Sequence, residues 1–376
     1  MKKRVLITST ELMMIQFLAP HVKNLSENGF EIDLACSNVG GRINEVYTLL
    51  EESTKNIFEV NLQRSPLSLS NIKGYKQLKQ IIFENHYDMI WTNEPVMGVA
   101  TRLAAKNTRK QGTKVLYMCH GFHFFDGAPK ANWLIFYPIE KHMAKHCDII
   151  ATINREDFQA AERFKPENAR YLHGIGVNTD RLNVVNITGD IRKELGIDEN
   201  DFVVVSVGEL NENKNQQVII RALGQVQDKA IHYLLCGKGD QLEQLKTLAL
   251  QLGVADRVHF LGYRTDVISI LSKADLFAFP TRREGLGLAA LEAMYCGLPL
   301  VTSDARGPVD FMENEKTGFI CNADDSSTFA RAISRIKADS VLRQSMAQYN
   351  REKVKPFCLE EVKTEVTDLM NDVLEV

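Results

Sequence analysis

The stretch LFAFPTRREGLGLAALEAM, residues 276–294, decides how this chain of 376 residues is read. Leu276–Phe279 is a short apolar run of strand length. Pro280 ends it, a polar turn carrying Gly285 and Gly287 follows, and a helix opens directly afterwards. Glycines let the backbone approach a ligand closely. A helix start presents free N–H groups and the positive end of the helix dipole, which together favour a phosphate. Glu284 stands in the loop, and Glu292 lies eight positions later, within the helix. A carboxylate one or two turns into such a helix can accept two hydrogen bonds from a ribose diol. One at the loop can meet a sugar hydroxyl.

The same alternation of apolar runs and helical patterns extends in both directions. Upstream, Arg4–Ile7, Glu31–Ala35, Met89–Trp91, Lys114–Met118 and Ile149–Thr152 read as strands, with helical patterns such as Gln16–Asn28 and Leu69–Glu84 between them. The polar, Gly- and Asn-containing stretch His173–Thr188 reads as a linker. The pattern then restarts with Phe202–Val207, Ile231–Cys236, Val258–Leu261, Asp275–Phe279 and Leu300–Thr302, and a polar helix, Leu359–Leu374, closes the chain. Alternation of this kind implies parallel sheets with helices on both faces. The expected fold is therefore α/β, with two doubly wound, Rossmann-like domains over residues 1–184 and 185–356. Residues 357–376 are expected to pack back on the first. Ligands of such sheets bind at the carboxyl ends of the strands, so both domains are expected to face a shared cleft.

Composition excludes several classes. Hydrophobic residues make up 44% and charged residues 25%, so the chain is neither disordered nor a small disulfide scaffold. With 45 Lys plus Arg against 48 Asp plus Glu, the net charge is −3, which argues against a nucleic-acid partner. Residues 1–184 carry 23 basic and 19 acidic side chains and the remainder 22 and 29, so the first half is the more basic. The seven cysteines include no CxxC and lie mostly in apolar runs, which reads as reduced core thiols in a cytoplasmic protein. The start, MKKRVLITST, has too short an apolar run for a signal peptide and reads as a first strand. No stretch approaches the 18 or so apolar residues of a membrane span.

The Glu284-to-Glu292 segment, in an E-G-x-G-x-x-x-x-E-A-M setting, resembles the retaining GT-B glycosyltransferases of family 4. Gly297-Leu298-Pro299-Leu300-Val301-Thr302-Ser303, Phe260-Leu261-Gly262-Tyr263-Arg264 and Gly237-Lys238-Gly239-Asp240 also match that family in order. The first half is similar to bacterial members that build capsular or exopolysaccharide, through His120-Gly121-Phe122-His123-Phe124-Phe125 and residues 132–141. The resemblance implies a glycosyltransferase of the GT-B fold that uses a nucleotide-sugar donor, a UDP-sugar foremost.

Residue by residue, the resemblance makes Glu292 the ribose ligand and places Glu284 against the donor sugar. It puts the diphosphate on the backbone around Gly287 and Leu288. Lys214 takes the position of the family's phosphate-binding lysine, where a cation neutralises charge on the departing nucleoside diphosphate. Gly208, ending its strand, belongs to the same nucleotide-sugar contacts, and Tyr263 and Arg264 lie near the nucleobase. The matching His120 lies beside the donor sugar as a catalytic residue, and imidazole suits donor or acceptor work near neutral pH. The chain departs from the family at Glu209, where the family has an arginine. Either Arg282 or Arg283 replaces that guanidinium, or Glu209 points elsewhere. The loop Thr8–Met14 also lacks the family's Gly-Gly pair.

No metal and no cofactor is expected. His142 and His146 are spaced as a ligand pair on a helix but have no third ligand, and Asp324-Asp325 lacks the spacing of a metal-binding Asp-x-Asp. In residues 70–84, Ile72, Tyr75, Leu78, Ile81 and Ile82 form one face and Lys73, Lys76 and Lys79 another. Residues 122–145 interleave aromatics with lysines. The first can sit on an anionic bilayer and the second can grip a lipid-linked acceptor at the interface; the alternative for each is the domain's own packing. Both lie in the half expected to bind the acceptor, so the expected acceptor is a polyprenyl-diphosphate-linked glycan. The expected location is cytoplasmic, peripheral on the inner face of the membrane. A GT-B-like nucleotide-sugar epimerase and a non-catalytic partner subunit are the alternatives. A dinucleotide dehydrogenase is disfavoured, because no GxGxxG follows the first strand.

Overall fold

The computed structural model describes residues 2–39, 43–165, 167–183 and 190–375. The chain divides into two compact units, Met1–Ile175 with Glu360–Val376, and Gly176–Leu359. These boundaries fall at 175/176 and 359/360, against 184/185 and 356/357 from the sequence. The cause is local pairing. Val177 donates its N–H to Phe357 O at 2.8 Å, and Leu359 donates to Val177 O at 2.9 Å, which binds the start of the expected linker into the second unit. Residues 184–188 of that linker lie outside the described residues.

The first unit holds a seven-stranded sheet. Its strands are β1 (Arg4–Glu11), β2 (Glu31–Val39), β3 (Asn56–Glu59), β4 (Met89–Asn93), β5 (Lys114–Cys119), β6 (Ile149–Thr152) and β7 (Ala169–Tyr171). Their order is β3-β2-β1-β4-β5-β6-β7, and every pairing is parallel. Parallel strands are covered on both faces, so they read as continuous apolar runs, and β4 is buried at all five positions. The closing helix, Leu359–Leu374, is tied to this unit. Asn24 Nδ2 donates to Thr367 Oγ1 at 2.9 Å, and the His173 N–H donates to Glu365 Oε2 at 3.0 Å.

The second unit repeats the arrangement with six strands: β8 (Phe202–Val207), β9 (Ile231–Cys236), β10 (Val258–Gly262), β11 (Leu276–Phe279), β12 (Leu300–Ser303) and β13 (Gly318–Cys321). The order is β10-β9-β8-β11-β12-β13, again parallel throughout. In each sheet the winding reverses beside the first strand, between β1 and β4 and between β8 and β11. Such reversal points are where open α/β sheets leave a crevice for ligands. The seven cysteines are free, and five of them are buried.

Candidate functional site

In the second unit the reversal point gathers the loops after β8 and β11. Gly208 ends β8 at φ +151°, within the region that favours glycine. The loop after it lies tightly on the turn after β9. A Cβ at Gly237 would come 1.8 Å from Gly208 O, and one at Gly239 would come 2.1 Å from Leu210 O. Leu210 N–H donates to Lys238 O at 2.9 Å across this contact. The Gly-Lys-Gly sequence is therefore a steric requirement of two strand-end loops in backbone contact.

The loop then presents Lys214. Asn211 Oδ1 accepts the Lys214 N–H at 2.9 Å, and Asn215, at φ +54°, donates from Nδ2 to Pro280 O and Ala323 O. Asn213 O accepts from Arg282 N–H at 2.8 Å, while Asn213 Nδ2 donates to Arg283 O at 2.9 Å. These bonds join the loop after β8 to the loop after β11. The Lys214 ammonium pairs with Glu284 Oε2 and lies 5.1 Å from the centre of the Phe279 ring. Lys214 and Glu284 are 70 positions apart in the chain, and the fold makes them a single ion pair.

Gly287 caps the helix Leu288–Tyr295 at φ +104°. A Cβ there would lie 2.9 Å from the Phe279 ring and 3.5 Å from Glu284 Cγ. The first helical bonds run from Ala290 and Leu291 N–H to Gly287 O. The amides of Leu288 and Ala289 therefore precede the helical ladder, as expected of a helix start. Glu292 follows one turn later and receives a hydrogen bond from Arg181 Nη2 at 2.9 Å. Burial raises its carboxyl pKa, and the Arg181 charge opposes that rise.

Lys214, Glu284, Gly287 and Leu288 thus stand together, with Gly208 beside the Lys214 stem and Glu292 one turn into the same helix. Tyr263 and Arg264 follow β10, at the sheet edge. Tyr263 is 74% exposed. Arg264 grips Asp266 with two hydrogen bonds, at 2.8 and 2.7 Å, and reaches Glu194 at 3.3 Å. Asp266 raises its pKa further. Glu209 is exposed, and its Oε2 accepts from Asn211 Nδ2 at 2.9 Å. Arg282, offered above as a substitute for the family arginine, is engaged by Asp324 at 2.6 Å and by Asn215.

His120 belongs to the first unit, immediately after β5. Its Nε2 lies 3.0 Å from Asn93 Oδ1, which ends β4. Burial lowers its pKa to about 4, so the ring is neutral near pH 7. The Asn93 oxygen only accepts, so Nε2 carries the proton and Nδ1 is left as an acceptor. Next to Asn93, Glu94 adopts φ +66° and ψ 154°, a conformation ordinarily reserved for glycine. Three donors hold it there: Ser9 Oγ at 2.7 Å, Thr10 N–H at 2.5 Å and Glu11 N–H at 3.3 Å, all onto Oε2. The sequence reading missed Glu94, Phe279 and Arg181. The one local signal for the first was an Asn-Glu-Pro stop after a buried strand.

Two protein-family profiles match the chain: glycosyl transferase 4-like over residues 5–154, and glycosyl transferases group 1 over residues 188–353. The chain is 33% identical over 383 residues to EpsD of Bacillus subtilis (strain 168), covering 100% of this chain and 98% of that protein, whose glycosyltransferase assignment is itself provisional. It is 26% identical over 359 residues to the UDP-Gal:alpha-D-GlcNAc-diphosphoundecaprenol alpha-1,3-galactosyltransferase of Escherichia coli, covering 93% and 91% of the two chains. Among solved structures, Anabaena HepE in complex with UDP and glucose shares the fold at a TM-score of 0.80 and 20% identity, over 98% and 100% of the chains. The two reversal-point sheets and these matches lead to one conclusion: the chain belongs to the GT-B glycosyltransferases of the group 1 and family 4-like kind, and is an enzyme of that class.

Proposed function

We propose that this chain is a retaining glycosyltransferase that moves a sugar from a UDP-sugar to a polyprenyl-diphosphate-linked glycan during polysaccharide assembly. The donor binds the second unit and the acceptor the first. The observation that carries the reading is the Lys214–Glu284 pair at the head of the Gly287-capped helix, with Glu292 one turn further on. The amides of Leu288 and Ala289 hold the diphosphate, and Gly208 leaves room for it beside Lys214. Lys214 neutralises the negative charge that grows on the leaving diphosphate, where a fixed cation lowers the barrier most. Glu292 accepts the ribose hydroxyls, and Glu284 meets a hydroxyl of the donor sugar. Tyr263 takes the nucleobase, with Arg264 anchored next to it in the chain by Asp266. His120, neutral and donating to Asn93, contributes its free Nδ1 to a sugar hydroxyl. With this charge in place the reading requires no metal ion. The lipid-linked acceptor puts the enzyme at the inner face of the cell membrane, an inference supported by the Escherichia coli relative's undecaprenol-linked substrate.

The test is nucleotide binding followed by transfer. UDP is expected to raise the melting temperature, and Glu292→Ala to abolish the rise. No shift with any nucleoside diphosphate would overturn the reading. A panel of UDP-sugars with membrane extract is expected to give product only when extract is present. A changed sugar nucleotide without extract would instead mark an epimerase.

A further inference from the structure

In the first unit, the apolar stripe of the helix Ser70–Asn85 is spent on the core. Leu78 and Ile82 are buried, and Tyr75 and Ile81 pack against the same cluster. Outside remain Lys73, Lys76, Lys79 and Gln80, with Ile72, Phe83 and one acidic residue, Glu84, so the exposed face is basic on balance. The helix Lys130–Met143 shows the opposite partition. Trp133, Leu134, Ile135 and Ile139 are exposed, Leu134 by 78% and Ile135 by 53%. Its one acidic residue, Glu140, turns inward, where it is buried and paired with the buried Arg102 at 2.9 Å. The outer face is left apolar, with Lys130 and Lys141 exposed at its ends and no negative charge. Both helices cover one core layer, since Leu78, Ile82, Phe136 and Tyr137 join a single cluster on the same sheet face. This layer therefore presents to solvent an apolar helix together with a basic one.

We infer that the outer face of the helix Lys130–Met143 docks on an anionic lipid bilayer, with Lys73, Lys76 and Lys79 supplying charge attraction. A water-exposed apolar helix face is a contact surface rather than a resting state. Trp133 itself turns its indole N–H inward, Nε1 donating to Phe125 O at 3.2 Å, so the outer face is made by Leu134, Ile135 and Ile139. Exposed aliphatic side chains, with lysines whose long stems can lift the ammonium into water, match the boundary of headgroups and acyl chains. Burying Glu140 against Arg102 removes the one charge on this helix that an anionic surface would repel. The inference deepens the proposed function by assigning the surface that would meet a lipid-linked acceptor. It rests on exposure and charge in the first unit alone.

The experiment is co-sedimentation of the full chain, without nucleotide, with vesicles of phosphatidylglycerol and phosphatidylethanolamine or of phosphatidylcholine alone. Binding is expected to the first and not the second, and to weaken with salt. Leu134→Glu with Ile135→Glu is expected to lower binding at least tenfold at an unchanged melting temperature. Lys73→Gln, Lys76→Gln and Lys79→Gln together are expected to lower it about tenfold or more, at roughly a few-fold per lysine near an anionic surface. Wild-type binding by the Leu134→Glu, Ile135→Glu variant, equal binding to both vesicles, or no binding at all would overturn the inference. So would a wild-type dimer that the variant dissolves, since the face would then join two copies. UDP binding is measured separately, so a failure here leaves the donor-site reading standing, and the reverse holds too.

Discussion

Arg181 donates from Nη2 to Glu292 Oε1 at 2.9 Å, so the carboxylate assigned to the ribose already carries a cation on one oxygen. The guanidinium is 62% exposed while the carboxylate is 19% exposed. Under the proposed assignment, a ribose diol competes with this contact. Arg181→Ala is expected to tighten uridine binding by about two- to fivefold, the scale of an exposed ion pair. Titration calorimetry reads this directly, and an unchanged affinity would mean that the ribose does not use Oε1.

Lys214 faces Glu284 and the Phe279 ring. Lys214→Ala is expected to depress turnover by about 10²-fold or more, the usual loss on removing one group that stabilises developing charge. UDP release from the donor is the measurement. Turnover within a few-fold of wild type would remove Lys214 from the mechanism.

Gly287 sits at φ +104°, and a Cβ there would press on the Phe279 ring at 2.9 Å. Gly287→Ala is expected to cost about 1–3 kcal/mol of stability through the strained backbone. It is also expected to erase the UDP-induced rise in melting temperature, because the amides of Leu288 and Ala289 shift with the cap. A variant that melts and binds UDP like wild type would show that the turn does not need glycine.

The first unit carries an acid-sensitive histidine away from the strand ends. His21 is 1% exposed, its Nε2 lies 2.9 Å from Ile175 O, and burial lowers its pKa to about 4. A group that binds protons more weakly when folded contributes stability above its unfolded pKa, near 6.5, and loses it as pH falls through the folded value. Between pH 6.5 and 4 it is expected to withdraw up to about 3 kcal/mol. Urea unfolding of His21→Gln across that range should give a flatter acid limb than wild type. Parallel limbs would contradict the assignment.

What was legible in the sequence follows burial. Phe202–Val207, Ile231–Cys236 and Leu276–Phe279 are interior strands of a parallel sheet, covered on both faces, so each reads as an apolar run. Asn56–Glu59 and Ala169–Tyr171 lie at the ends of the first sheet, are only partly buried and leave no such run, whereas the partly buried end strand Val258–Gly262 of the second sheet still reads as one through Val258, Phe260 and Leu261. The site divides in the same way. Glu284, Gly287 and Glu292 share one strand–turn–helix segment and could be read together. The bond from Arg181 to Glu292 spans 111 positions and exists only in the folded chain. The domain boundary was displaced for the same reason, because Val177 pairs with Cys358 rather than continuing as open chain.

Each half of the molecule has its own strand-order reversal, β1 against β4 and β8 against β11. A transferase must recognise two molecules, and here each recognition task can rest on separate scaffolding. Under the proposed assignment, evolution can retune the glycan choice without disturbing the nucleotide choice. A hybrid carrying residues 176–359 of a relative should inherit that relative's preferred sugar nucleotide alone.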